Sequence, residues 1–350
     1  RSTQSRSSAA SDVYKRQNKP GEVEIIEQAM PVRKQGEALL KILYGGICGS
    51  DLGTYRGTFA YASYPRIPGH EFSAEIIEIG DNDRNLKPGM IVTCNPYFNC
   101  GHCYSCQRGL VNCCTSNETM GAQRDGAFSE YITMPIERIY DGKGLSAKTL
   151  ALIEPFCISY HGISRANIQP NDKVLVIGAG TIGVLAAVAA KAKGAKVYIS
   201  DVAENKMNYA IETFGLDGGI LNDSPENFIK RVEEITNGNY FDVTIEAVGL
   251  PSTFQACIDA AAFGARMVQI GVGKRTHEFD FTLLQKKELN VYGSRNALKK
   301  DFLELIDLVK SGKVDLEKIV TNTYNLDEAD KAFQDFSKNA ASMLKVVIKF

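Results

Sequence analysis

The sequence predicts an α/β protein with a β-rich first part and a doubly wound parallel sheet after it. Three observations carry this. The chain has 350 residues, too many for one ordinary core and about right for two domains. Its first 150 residues hold short alternating apolar runs separated by long polar loops. After Glu154 the pattern changes to apolar strands alternating with helical segments, the signature of a parallel sheet.

In chain order, residues 1–17 (RSTQSRSSAASDVYKRQ) come first. They are Ser/Arg-rich and lack an apolar h-region, so they form no secretory signal. They look like a translated adaptor or a disordered tail and are expected to lie outside the fold, with a native first strand missing. Residues 22–27 and 37–44 read as strands joined by a turn around Pro31 to Gly36. Residues 71–80 form another strand, and the Lys87-Pro88-Gly89 corner introduces MIVTC. DGAFSEYITMP (125–135) alternates like a half-buried strand. In the second part, 173–180 is a buried strand ending in glycines, and 181–194 is an Ala-rich helix closed by Gly194. Strands at 196–201, near 219–221, 241–249, 265–272 and 289–294 then alternate with helices ending near Phe214, at 225–236 and at 252–262. Helices at 301–311 and 327–338 and a final strand, LKVVIKF, complete the chain.

Bulk composition excludes several roles. Apolar residues are 44% and charged residues 23%, as in a globular protein. A net charge of −1 gives nucleic acid and membrane surfaces nothing to attract. No run of about 18 apolar residues exists to span a bilayer. Nine cysteines, four of them at metal-binding spacing, fit a reducing cytoplasm.

Three constellations carry chemistry. Cys100, Cys103, Cys106 and Cys114 follow a C-x2-C-x2-C-x7-C spacing in one polar segment and predict a closed, structural zinc held by four thiolates. Gly178, Gly180 and Gly183 fit G-x-G-x-x-G between a strand and a helix, with Thr181 and Ile182 inside the turn. That arrangement brings backbone amides and a helix N-terminus to a pyrophosphate. Asp201 ends the next strand, where a carboxylate accepts from ribose hydroxyls and repels a 2′-phosphate, so NAD is favoured over NADP. Cys48, His70, Glu71 and Glu154 lie in three separate segments, and such a donor set suits a catalytic zinc with an open position. A lone cysteine or histidine would be read as core; the set beside the other two motifs is read as a site.

The motifs GICGSD, PGHEF, CGHCYSC with Cys114, DGAFSEY, IEP, VIGAGTIG and LKVVI together resemble the zinc-containing medium-chain dehydrogenase/reductase family, in its sorbitol and L-threonine dehydrogenase branch. The resemblance covers about residues 20–350. It implies a GroES-like catalytic domain at 18–157, a Rossmann domain at 158–296 and a return to the catalytic domain at 297–350. It also implies that Cys48 and His70 bind catalytic zinc, with Glu71 or Glu154 as the carboxylate ligand, and that Ser50 relays the alcohol proton. Many relatives carry a relay histidine where this chain has Gly53. Dimers and tetramers are the family's habit.

GSRNALKKDF (293–302) is similar to a segment of bacterial sugar-acid 5-dehydrogenases. Arg295 there is placed to fork onto a substrate carboxylate, with Arg56 and Arg124 as weaker candidates. The remaining cysteines are read as packing residues. His102 is read as solvent-facing and His161 as lining the cofactor cleft; His277 has no evident role. The expected activity is oxidation of a polyol or sugar acid of galactonate or gulonate type, with NAD and two zinc ions. The rivals are an L-threonine or simple alcohol dehydrogenase, and a regulatory zinc- and dinucleotide-binding protein without turnover.

Overall fold

The computed structural model describes residues 11–59, 62–273, 276 and 278–350; His277 lies outside the described residues. Two large sheets organise the chain. The first is six-stranded and wholly parallel, in the order Gly218–Leu221, Lys196–Asp201, Lys173–Ile177, Phe241–Glu246, Ala261–Gln269, Asn290–Gly293. In sequence this is third, second, first, fourth, fifth, sixth, so the order reverses beside Lys173–Ile177. In such sheets a ligand binds outside the carboxyl ends of the strands at that reversal. Val174, Leu175 and Val176 are wholly buried, because helices cover both faces. This is why the strand reads as a continuous apolar run rather than an alternating one.

The second sheet has seven strands built on Glu37–Ile47. Glu71–Ile79 pairs antiparallel along its length, Tyr131–Pro135 pairs with its first half and Lys345–Lys349 with its second. Ile91–Cys94 and Ile139–Asp141 extend one side, and Val320–Asn325 lies parallel to Lys345–Lys349 on the other. The C-terminal strand therefore rejoins the first part of the chain across almost the whole sequence, matching Val346 to Ile47.

Several expectations are corrected. Residues 11–17, expected to lie outside the fold, are part of it: Ser11–Arg16 pairs antiparallel with Glu24–Ala29. The Lys15 amide donates to the Phe128 carbonyl at 2.8 Å, and Gln17 exchanges backbone bonds with Arg66. A polar strand of this kind is held by ladder bonds, which composition does not reveal. Only Tyr131–Pro135 of the 125–135 segment is strand. Among the elements that escape the sequence reading are the helices Gly49–Tyr55 and Ile153–Arg165 and the strand Val320–Asn325. The first helix carries glycines at both 49 and 53 and lacks a helical apolar period. The second contains Pro155, which is tolerated because it falls in the first turn.

Candidate metal centres and dinucleotide site

The four cysteines converge. One donor atom from each of Cys100, Cys103, Cys106 and Cys114 lies within 4.8 Å of the others. A single helical turn, Tyr104–Gln107, and a 3-10 turn, Val111–Cys113, fold the loop back on itself. Backbone amides face the sulfurs: Cys100 N donates to Cys114 Sγ at 3.2 Å and Cys103 N to Cys100 Sγ at 3.3 Å. Such donors favour thiolate. Backbone donation at Thr115 and Cys106 brings the Cys103 thiol down to about 5. The donor set fits a closed tetrahedral zinc. Cys113 is exposed and stays out of the group, which corrects its reading as a packing residue, whereas Cys94, Cys157 and Cys257 are buried. His102 is exposed, with Nδ1 2.9 Å from the Cys100 carbonyl.

The second group forms at one end of two paired strands of the seven-stranded sheet. Cys48 sits at the N-cap of Gly49–Tyr55, directly after Glu37–Ile47, while Glu71 opens the neighbouring strand and His70 directly precedes it. Donor atoms of Cys48, His70 and Glu71 lie within 4.8 Å of one another, and a thiolate, imidazole and carboxylate at that spacing fit a zinc ion. Glu154 stands outside this trio. Its carboxylate Oε1 accepts from the Tyr97 hydroxyl, and burial followed by repulsion from Glu71 raises its pKa to about 7. Glu71 in turn accepts from Lys345 Nζ at 2.5 Å. Each candidate carboxylate thus has its own protein partner.

Asp51 completes the surroundings. It is 2% exposed, accepts from the Cys48 amide at 2.9 Å, and lies 3.8 Å from His70 Nδ1. Burial alone would lower the His70 pKa, but the summed attraction of Asp51, Cys48 and Glu154 holds it well above the usual histidine value. Metal and proton compete for such donors. Asp51, Tyr97 and Lys345 all escaped sequence reasoning. A carboxylate three residues after Cys48 is a capping-box signal that could have exposed Asp51. A lysine opening the apolar run KVVI could have exposed Lys345, but nothing local marks Tyr97. Ser50 is half-buried, and its hydroxyl has no partner among the described residues. At Gly53 an added Cβ would come 3.2 Å from Phe59, so the position is tight as well as empty of a relay group.

The glycine turn is built as its spacing predicts. Gly178 has φ of +112°, and a Cβ on Gly183 would stand 1.8 Å from the Gly178 carbonyl. Only glycine allows helix and strand to approach this closely. Gly180 caps the helix Thr181–Ala192. Asp201 accepts from Ala179 N at 2.6 Å and Ala203 N at 2.8 Å, which fixes its carboxylate beside the turn. The Thr181 hydroxyl is committed elsewhere, donating to the Leu344 carbonyl at 2.6 Å, so only its backbone faces the turn. Ile182 packs against the core, and its carbonyl accepts from Ser159.

Of the arginines, Arg295 is exposed and its side chain makes no hydrogen bond or ion pair with another described residue. Arg56 is bound to Ser337, and Arg124 lies over the Phe98 ring beside Glu118. His161 is buried between Asp301 and Asn112.

Residues 34–143 match the alcohol dehydrogenase GroES-like domain, and residues 181–311 the zinc-binding dehydrogenase family. The chain is 34% identical to L-galactonate-5-dehydrogenase of Escherichia coli K12, over 95% of this chain and 97% of that protein. It is 31% identical to sorbitol dehydrogenase of Halalkalibacterium halodurans, over 96% and 98%. It superposes with a TM-score of 0.89 on an alcohol dehydrogenase of E. coli CFT073 crystallised with NADH, at 29% identity, covering 97% and 99% of the two chains. With both domain signatures and relatives matched over nearly their full length, this chain belongs to the zinc-containing medium-chain dehydrogenase/reductase family.

Proposed function

We propose that this protein oxidises a secondary alcohol of a polyol or of a galactonate- or gulonate-type sugar acid, passing hydride to NAD. The observation that carries this is the convergence of Cys48, His70 and Glu71 within 4.8 Å in a chain that also holds the Gly178–Gly183 turn. Cys48 and His70 hold the catalytic zinc, with Glu71 or Glu154 supplying the carboxylate; Cys100, Cys103, Cys106 and Cys114 hold the structural one. Zinc at the first site supplies Lewis acidity that makes an alcohol proton easier to remove.

The protein's own groups do the rest. Asp51 fixes the Cys48 turn through its amide and places a carboxylate 3.8 Å from the His70 ring. Ser50, with an uncommitted hydroxyl on the same short helix, takes the alcohol proton and passes it on. With Gly53 in place of a relay histidine, that proton leaves through water or another group. Amides of Gly180, Thr181, Ile182 and Gly183 face the cofactor pyrophosphate, and Asp201 accepts from the ribose hydroxyls, favouring NAD. Arg295, exposed and without an ion-pair partner, forks onto a substrate carboxylate.

The kinship with L-galactonate-5-dehydrogenase supports the sugar-acid reading, and the kinship with sorbitol dehydrogenase the polyol one. A homodimer or homotetramer is supported by the open edge strand Asn290–Gly293, whose Val291 is 39% exposed. Nine unpaired cysteines support a cytoplasmic setting. No helix among the described residues is long and apolar enough to cross a membrane.

The test is a panel of polyols and aldonates with zinc-loaded protein and NAD. At least one should reduce NAD, and Cys48→Ala should abolish it. Equal behaviour of wild type and variant across the panel rejects the assignment, and turnover of L-threonine alone would move it to the rival activity. Arg295→Ala should raise KM for acidic substrates only; an equal loss on neutral polyols rejects the carboxylate fork.

A further inference from the structure

The four-cysteine loop reaches into the centre of the molecule at two points. Tyr97 lies three residues before Cys100, and Asn112 lies two residues before Cys114. Both are buried, at 7% and 5% exposure. The Tyr97 hydroxyl donates to Glu154 Oε1. Asn112 Nδ2 donates to the Arg295 carbonyl at 3.0 Å and lies 3.2 Å from His161 Nε2. Glu154 and His161 are seven residues apart on one helix, Ile153–Arg165. Two turns separate them, so they share a face. The loop therefore grips that face at both ends.

The direction of the second grip follows from its chemistry. His161 Nδ1 lies 2.9 Å from Asp301 Oδ2, which also accepts from the Leu298 amide. A carboxylate only accepts, so Nδ1 carries the proton and Nε2 receives the Asn112 amide hydrogen. Asn112, His161 and Asp301 thus form one directed chain from the loop to the helix Lys299–Lys310.

Neither grip is needed to keep the helix in place. Ile153, Phe156, Cys157 and Ile163 are wholly buried in the main core and already anchor it. Matched buried polar pairs add little net stability over apolar ones, but they fix direction. At Glu154 the direction fixed is that of a carboxylate beside Cys48, His70 and Glu71.

We propose that Tyr97 is a positioning residue for Glu154, and that the four-cysteine loop, through Tyr97 and Asn112, sets the carboxylate geometry of the catalytic metal site. The loop then acts on turnover as well as on stability, which revises the expectation that its cysteines serve structure alone. The proposal rests on the zinc assignment above.

The experiment is a chelator competition giving zinc content and affinity for wild type, Tyr97→Phe, Glu154→Gln, the double variant and Cys48→Ala. Tyr97→Phe should keep two zinc ions and the wild-type unfolding midpoint, while affinity at the Cys48-dependent site falls about 10-fold, the size expected for losing an outer partner. In the Glu154→Gln background the same change should have no further effect. Cobalt placed in that site should show a shifted absorption band in Tyr97→Phe. Wild-type affinity and spectrum in Tyr97→Phe, or additive losses in the double variant, overturn the proposal. If Tyr97→Phe does not fold cooperatively, Asn112→Ser carries the test from the other end: lower affinity at the Cys48 site supports it, and unchanged affinity overturns it. If Cys48→Ala holds as much zinc as wild type, the zinc assignment itself fails, and this proposal with it.

Discussion

Lys345 Nζ and Glu71 Oε2 stand 2.5 Å apart, with side chains only 2% and 1% exposed. The pair joins the last strand of the chain to the strand that Glu71 opens, one residue after His70. Lys345 also donates to the Ile47 carbonyl, one residue before Cys48. Burial works against its charge, but the summed attraction of Glu71, Cys48 and Glu154 raises the Lys345 pKa. Room for the carboxylate comes from Gly46, where a Cβ would fall 2.1 Å from Glu71 Oε2.

Removing one partner of such a pair leaves an unpaired buried charge. Lys345→Met should therefore lower unfolding stability by about 3–5 kcal/mol, while Lys345→Met with Glu71→Gln should recover part of it. Urea unfolding at pH 7 reads both. A single variant as stable as wild type would show that Glu71 finds another cation.

The two cysteine groups should separate in metal content and phenotype. Cys48→Ala should lose one zinc of two and all turnover while keeping most of its stability. Cys100→Ala should lose the other zinc and unfold earlier, because the loop depends on metal for its order. Zinc analysis beside thermal melts decides this, and equal melts for the two variants would contradict it.

Cofactor choice should follow Asp201. Replacing it with Ser removes the ribose acceptor and two backbone bonds, to Ala179 and Ala203. KM for NAD should rise by about 10- to 100-fold, the equivalent of losing a hydrogen bond to a charged group, and discrimination against NADP should shrink. Unchanged KM values for both cofactors would exclude the residue from recognition.

Metal-stripped protein should lose stability as pH rises from the ordinary glutamate value of 4.5 to about 7, because burial favours the neutral form of Glu154. A raised folded pKa gives stability that is fully present below the unfolded value and lost through the folded one. Melting midpoints of chelated protein against pH should show this slope in wild type and a smaller one in Glu154→Gln. Identical slopes would assign the dependence to other groups.

Spacing along the chain was enough to find the four cysteines, the glycine turn and Asp201, since each is a local constellation whose parts fold back on one another. The alternation of strands and helices after Glu154 was equally legible, because burial on both faces writes continuous apolar runs into the sequence. The Cys48–His70–Glu71 site was legible only as two separate fragments whose donor types suit a zinc ion, with nothing local to say that they meet. What tertiary structure alone decided is who holds each carboxylate: Lys345 lies 274 residues from Glu71 and Tyr97 lies 57 residues from Glu154. Such partners are chosen by strand register and by which helix face meets which loop, and no local pattern encodes either. The same reason hid the polar strand Ser11–Arg16, whose backbone bonds to Glu24–Ala29 and Phe128 no local pattern announces.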